Sequence, residues 1–420
     1  MNSSKISLSR YLPKNSYYYY GYPSGQNDDF LNLVPPEVEE LVAARALVCA
    51  GEDVKVLCFK QAYEACQSEI YNIFGTKNIY SENVVLFPSQ IDVGLFGDKR
   101  NAAVKEFLKT NLQNKELLMA QPFTNDEMKG LFLIDPSLTN WLNDKRNIPE
   151  FIPSEYHTKR LAMYKNGRDF LRNIPNDIDA CVVKVSSSSA GDGVYLCKSK
   201  SRLADVANEL SNSTSNILIE EYVDAVRNYG IQFAIDYNNS SKIEIIGISN
   251  QVTTTKGEFI GGLILNNEDS SDLDGVIQCI KDIILPGVAK LGWYGVGCFD
   301  VLVDRSGRSY IIDCNFRMTG MTAYLMLKAN GIIAKNVATF NGLFAEGSEK
   351  LTQKLMMLKE TMGEEFLHIL ALTVNDGICR MNAAILFDDI NSMKNIAKLF
   401  LGIGIQSKAL KKYASYNAID

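Results

Sequence analysis

The stretch that most narrows what this chain can fold into is residues 292–320, GWYGVGCFDVLVDRSGRSYIIDCNFRMTG. Residues 296–303 are apolar and β-branched, Arg305-Ser306-Gly307-Arg308 supplies turn chemistry, and residues 309–313 make a second strand, so the stretch reads as a β-hairpin. Three oxygen-bearing side chains interrupt it: Asp300 on the first strand, Asp313 at the end of the second, and Asn315 two positions later. Side chains alternate along a strand, so Asp313 and Asn315 share a face and the hairpin can bring Asp300 opposite them. A single aspartate in a strand is ordinarily a surface residue or a turn anchor. Two carboxylates and an amide oxygen converging inside apolar sequence are another matter, because an unpaired charge there is costly. The set suits a hard cation. Mg2+ held by few protein oxygens takes its remaining ligands from water and phosphate, which points to a nucleotide site. Arg317 follows directly, placed to neutralise a phosphoryl or carboxylate oxygen.

An earlier stretch agrees with that reading. Residues 180–185, ACVVKV, form a buried strand that contains Lys184, and a lysine in such a strand is expensive unless an anion meets it. The loop after it, SSSSAGDG at 186–193, consists of small residues whose backbone N–H groups can approach phosphate closely. Taken alone, the same residues describe a Ser/Gly hairpin with Lys184 snorkelling to the surface. The downstream hairpin tips the balance toward phosphate. A helix over 201–210 and a strand over 216–221, ending in Glu220-Glu221-Tyr222-Val223, complete a small α+β unit the size of a lid.

The remaining chain organises around these two units. Residues 1–140 alternate strand and helix patterns, which implies a parallel sheet with helices on its faces. Within them, Pro35-Pro36 opens a helix expected to run to Ala50, and another helix is expected over 62–74. The run Tyr17-Tyr18-Tyr19-Tyr20 could pass for a stacking platform, but strand alternation puts its rings on both faces, which is core packing. The loop from Gly21 to Gly25 lacks the spacing of known phosphate-binding loops. An amphipathic helix is expected over 155–173, a hairpin over 229–251, a helix over 272–292, and further helices with short strands over 332–420. The divisions expected are 1–140, 141–222 and 223–420. Asp192 and Glu258 stand as candidate general bases, each more simply read as a solvated loop acid.

Composition excludes several classes. A net charge of −6 and a pI near 5.3, without a basic tract, argue against nucleic-acid binding. Two histidines, His157 and His368, are too few for a His-based zinc site or a Ser-His-Asp triad. Nine scattered cysteines form no CxxC pair and read as reduced core thiols. No apolar run reaches membrane-spanning length, so a soluble cytoplasmic protein is expected, with no membrane partner.

The order Lys145, Lys184 with its small-residue loop, Glu220-Glu221-Tyr222-Val223, Asp300, then Asp313-Cys314-Asn315-Phe316-Arg317 resembles the ATP-grasp superfamily of carboxylate–amine and carboxylate–thiol ligases. The resemblance spans roughly residues 140–330, and the α/β layer before it fits the domain that precedes the grasp in that family. It implies an α/β fold class: an N-terminal open α/β domain, a small α+β lid, and a larger α+β domain with an antiparallel sheet. It further implies that Lys145 and Lys184 contact ATP phosphates, that Gly191 and Gly193 belong to the loop closing over them, and that Glu220, Glu221 and Val223 line the adenine. Asp300, Asp313 and Asn315 would hold Mg2+, with Mn2+ able to substitute, and Arg317 would stabilise the acyl phosphate, with Lys184 also catalytic. Asp313 stands where the family often has glutamate, Cys298 where some ligases have arginine, and Phe316 where proline is frequent. No acid within 226–232 matches the family's ribose ligand.

The chemistry implied is formation of an amide between a small-molecule carboxylate and an amine, such as an amino acid or peptide, through an acyl phosphate. Alternatives are ligation of an amino acid to a carrier-protein thiol and a non-catalytic ATP-binding scaffold. A homodimer is compatible with this architecture.

Overall fold

The computed structural model describes residues 5–21, 36–76, 83–92, 98–123, 126–175, 177–186, 188, 193–363 and 365–416. Three sheets carry the chain. The first is parallel, with β1 (Tyr17–Tyr19), β2 (Lys55–Cys58), β3 (Val84–Leu86) and β4 (Leu117–Met119) in the order β3-β2-β1-β4. The tyrosine run packs as its alternation requires. Tyr18 and Tyr20 enter the core shared with the C-terminal sheet, and Tyr19 enters the opposite core with Phe59 and Phe87.

The second sheet is antiparallel, with β5 (Arg160–Tyr164), β6 (Cys181–Val185), β7 (Val194–Cys197) and β8 (Ile217–Glu221) in the order β5-β8-β6-β7. The helix Lys200–Glu209 covers it through Leu203, Val206 and Ala207. Here the expected helix over 155–173 is corrected. Residues 160–164 form an edge strand on β8, Ser154–Tyr156 make a 3₁₀ turn, and α-helix is confined to Gly167–Arg172, started by Asn166 Oδ1 accepting from Asp169 N at 2.9 Å. Leu210 O presses against Gly167, where a Cβ would lie 1.6 Å from it. This contact holds the break between strand and helix in place.

The third sheet has eight antiparallel strands: β9 (Ala225–Ile235), β10 (Ile243–Thr253), β11 (Phe259–Ile264), β12 (Gly295–Asp304), β13 (Ser309–Asn315), β14 (Asn336–Phe344), β15 (Leu367–Asn375) and β16 (Ile378–Phe387). Their order is β13-β12-β9-β10-β11-β14-β16-β15. The β9–β10 and β12–β13 hairpins are the two expected. Residues 332–420 depart from expectation, since their strands span nine or ten residues each and complete this sheet. Two helices are shorter than expected. The one opening at Pro36 is α-helical to Ala44 and then tightens to a 3₁₀ turn over Arg45–Val48, and the one over 62–74 is two helices, Lys60–Ala65 and Glu69–Phe74. The helix expected over 272–292 widens to a π turn at Ile280–Ile284 just ahead of Pro286, whose ring nitrogen cannot donate to the ladder. All nine cysteines are buried and outside any disulfide, and among the described residues no helix is long and apolar enough to cross a membrane.

Candidate active site

The hairpin brings its polar side chains together as strand geometry demands. Asp300 on β12 is paired directly with Asp313 on β13, and Cys298 with Asn315, so the three polar side chains leave the same face. Asn315 Nδ2 donates to Asp300 Oδ2 at 3.3 Å, and Gln251 Nε2, from β10, donates to Asp300 Oδ1 at 2.5 Å. Burial, reinforced by the charge of Asp313, pushes Asp300 up to about 7. Two facing carboxylates repel, and a divalent cation between them would relieve that repulsion. Among the described residues no group of three or more His, Cys, Asp or Glu side chains is arranged to hold a metal ion. The donor set is two carboxylates and an amide, which fits Mg2+ completed by phosphate oxygens rather than a metal caged by protein alone.

Cations surround this pair. Lys145 Nζ lies 3.2 Å from Asp313 Oδ2 and donates to Ser188 O at 3.0 Å. Lys184 reaches across from β6 to the hairpin, donating to Ile312 O at 3.0 Å, and pairs with Glu220 Oε2 at 2.7 Å. Both lysines are buried. Burial pushes the Glu220 carboxyl up, but Lys184, Thr158 and Arg160 outweigh it, and the group ends below its ordinary value. Arg317 is aimed by Asn143, whose Oδ1 accepts from Arg317 Nη1 at 2.6 Å and from Phe316 N at 3.0 Å.

Lys145, Lys184, Asp300, Asp313, Asn315 and Arg317 line one cavity of about 360 Å³. Glu220 is joined to it through Lys184 but does not line it. Glu221 and Val223, at and just beyond the end of β8, are half-buried and stand outside its lining. Gly193 holds a left-handed backbone (φ 71°) and its carbonyl accepts from Val185 N at 2.8 Å, closing the small-residue hairpin. Gly191 and Asp192 lie outside the described residues. Glu258, the other candidate base, is tied to Lys408 at 2.6 Å.

Sequence reading missed Gln251, Asn143, Gln232 and Arg45. Gln232 sits between Ile231 and Phe233 in β9, a signal of the kind that flagged Lys184, whereas Gln251, near the end of β10 beside Asn250, carries none. Asn143 and Arg45 carry no such mark, because only the fold brings Arg45 to the cavity from the N-terminal layer and sets Asn143 against Arg317.

The geometry agrees with comparisons to known proteins. Residues 176–315 match the family model described as L-aspartate–L-methionine ligase, ATP grasp. Among solved structures, N5-carboxyaminoimidazole synthetase from Staphylococcus aureus, complexed with ADP, is 12% identical, with 96% of this chain and 100% of that one covered at a TM-score of 0.57. The L-amino acid ligase from Bacillus licheniformis is 11% identical over 94% of this chain and 100% of its own, with a TM-score of 0.55. The biotin carboxylase domain dimer of Hydrogenobacter thermophilus 2-oxoglutarate carboxylase, holding MgADP and bicarbonate, is 9% identical, covering 96% and 94%, with a TM-score of 0.58. At such identities the structures establish the fold, and ATP-grasp ligases use ATP and Mg2+. Taken together, the whole chain has the ATP-grasp fold and residues 176–315 match an ATP-grasp ligase segment, which supports an ATP-dependent, ADP-forming ligase that joins a carboxylate to an amine.

Proposed function

We propose that the enzyme joins two amino acids, or an amino acid and a short peptide, and that the cavity beside the hairpin is where it does so. The observation that carries this reading is the convergence of Asp300, Asp313 and Asn315 with Lys145, Lys184 and Arg317 on one cavity. The two substrates described for the matched family, aspartate and methionine, are the first pair to test.

In this reading Asp300, Asp313 and Asn315 hold Mg2+, or Mn2+ in its place, which supplies charge neutralisation for the phosphates. Lys145 and Lys184 give up part of their present pairing to the ATP phosphates, with Gly191 and Gly193 in the loop above them. Glu220, Glu221 and Val223 border the adenine. A carboxylate oxygen of the donor attacks the γ-phosphorus and ADP leaves. The amine nitrogen then attacks the acyl carbon, phosphate departs, and the amide remains. Lys184 and Arg317 stabilise the charge that gathers when two anions meet, and no covalent enzyme nucleophile is needed. The sheet β5–β8 serves as the lid that keeps water from the acyl phosphate. In domain terms, the proposal assigns 1–140 to the layer before the grasp, 141–222 to the lid and 223–420 to the metal-bearing domain.

Two small molecules suffice as partners, and a carrier-protein thiol draws no support from a family model whose described substrates are both amino acids. A homodimer, as in the Hydrogenobacter thermophilus neighbour, and a reducing cytoplasmic setting for nine cysteines held outside any disulfide complete the proposal. The test is release of ADP and phosphate from MgATP over a panel of amino acids and dipeptides, singly and in pairs. Release that needs one carboxylate plus one amine, and is lost in Asp313→Ala, is the expected outcome. Release that is independent of any acceptor overturns the reading.

A further inference from the structure

One cation of the cavity has no part in the arrangement above. Arg45 stands half-buried where the helix Pro36–Ala44 tightens into its 3₁₀ turn. Its Nε donates to Asn382 Oδ1, and Asn382 Nδ2 in turn donates to Asn341 Oδ1, so the guanidinium is held by a short amide relay from β16 and β14. The Tyr20 ring lies 6.0 Å from the guanidinium carbon. Among the described residues no carboxylate comes within ion-pairing distance of Arg45. Its terminal nitrogens are therefore unmatched, although it lines the same cavity as Lys145, Lys184 and Arg317.

The wall around Arg45 is apolar. Val38, Val42 and Arg45 follow one another at intervals of four and three residues, so one helix face presents all three. Phe259 and Met321 line the cavity as well, and a Cβ built at Gly320 would come no nearer than 3.8 Å to Arg45 and Phe259, so that spot is open. A second unmatched donor lies in the lining: Gln232 is 1% exposed, its Oε1 accepts from Thr322 Oγ1 at 2.7 Å, and its Nε2 has no partner. A guanidinium without a carboxylate, set among apolar side chains, selects an anion carried on an apolar body.

The ligase reading requires such an anion. The carboxylate that reacts belongs beside Lys145, Lys184 and Arg317. An amino acid offered as the amine brings a second carboxylate, which does not react and is repelled by the phosphoryl group, so it needs a cation of its own. We propose that Arg45 binds the free carboxylate of the amine substrate, an amino acid whose apolar side chain rests against Val38, Val42, Phe259 and Met321. This assignment rests on the ligase reading, and its test separates the two.

L-Methionine, L-leucine and their carboxamides are offered as amine substrates with L-aspartate as the acyl donor. Wild type is expected to favour each acid over its amide at least about tenfold in kcat/KM. Arg45→Met is expected to raise KM for the acid about 10- to 100-fold, to leave KM for ATP unchanged, and to abolish the preference, with Arg45→Lys intermediate. Calorimetric titration of L-methionine into wild type and Arg45→Met, with MgADP present, reads the same contact without turnover. If wild type ligates but treats acid and amide alike, or Arg45→Met keeps the preference, the Arg45 assignment is overturned and the ligase stands. If wild type ligates no pair yet binds L-methionine through Arg45, the ligase reading fails and the carboxylate site stands. Absence of amino-acid binding by wild type overturns the site.

Discussion

Asn143 accepts two hydrogen bonds on a single oxygen, one from the backbone of Phe316 and one from the side chain of Arg317. Its role is positioning: it fixes the direction in which the guanidinium leaves the end of β13 without facing the reacting atoms itself. Asn143→Ala is expected to lower kcat about 10- to 100-fold, because an arginine free to swing no longer meets the developing charge, while KM for ATP changes less than about twofold. Asn143→Asp retains the acceptor oxygen and is expected to recover most of the loss. Steady-state kinetics of the three proteins decide the point, and a parallel rise in KM for ATP would mean that Asn143 merely supports the fold. Asp300, Asp313 and Asn315 could be read from sequence because all three lie on one hairpin, where a period of two decides what faces what. Asn143 lies 174 residues before its Arg317 partner, and no local pattern couples them.

Behind the hairpin, β9, β12 and the end of β13 share an aromatic nest. Phe233 stacks on Phe299 with centroids 4.8 Å apart, and Phe316 meets Trp293 edge-on at 5.0 Å and Phe299 edge-on at 5.8 Å. Gly297 makes room for it, since a Cβ there would fall 2.4 Å from the Phe233 ring and 2.8 Å from Asn315 O. The nest explains the departure at Phe316, where related ligases often carry proline: here the residue anchors the strand end that bears Asn315 and Arg317 by burying a ring. Phe316→Ala is expected to cost about 3–5 kcal/mol of stability, read by chemical denaturation, and a loss below about 1 kcal/mol would show that the anchor lies elsewhere. At this scale the hairpins were legible from alternation and turn residues. β5 was not. Its residues, RLAMY, show no burial pattern that excludes a helix, and what makes them extended is the free edge of β8 beside them.

The N-terminal layer and the large sheet behave as one body because they share one core, in which Tyr18, Tyr20 and Tyr71 meet Phe340, Ile369 and Leu370. Gly75 bridges to Ile369, and Tyr71 Oη donates to Leu370 O at 3.2 Å. His368 lies in this seam, with Nε2 3.0 Å from Thr76 Oγ1 and Nδ1 without a partner, and burial lowers it to about 4. A base lowered in the folded state stays neutral there while the unfolded chain, with an ordinary histidine near 6.5, takes up a proton. Its contribution is therefore fully present above about pH 6.5 and is lost as pH falls toward 4, by about 2 to 3 kcal/mol. Denaturation midpoints from pH 7 to 4.5 are expected to fall more steeply for wild type than for His368→Gln, and equal slopes would remove His368 as the cause. For the molecule as a whole, the sequence by itself determined the alternating first layer, the small α+β unit and the polar hairpin, because each is written in short-range periodicity or in a charge set inside apolar sequence, while the class of reaction was legible through the family resemblance that the order of these parts carries. The tertiary structure alone decided that Arg45, Gln251 and Asn382 share a cavity with that hairpin and that Asn143 meets its Arg317. They come from separate segments, and only burial of the common core brings those segments together.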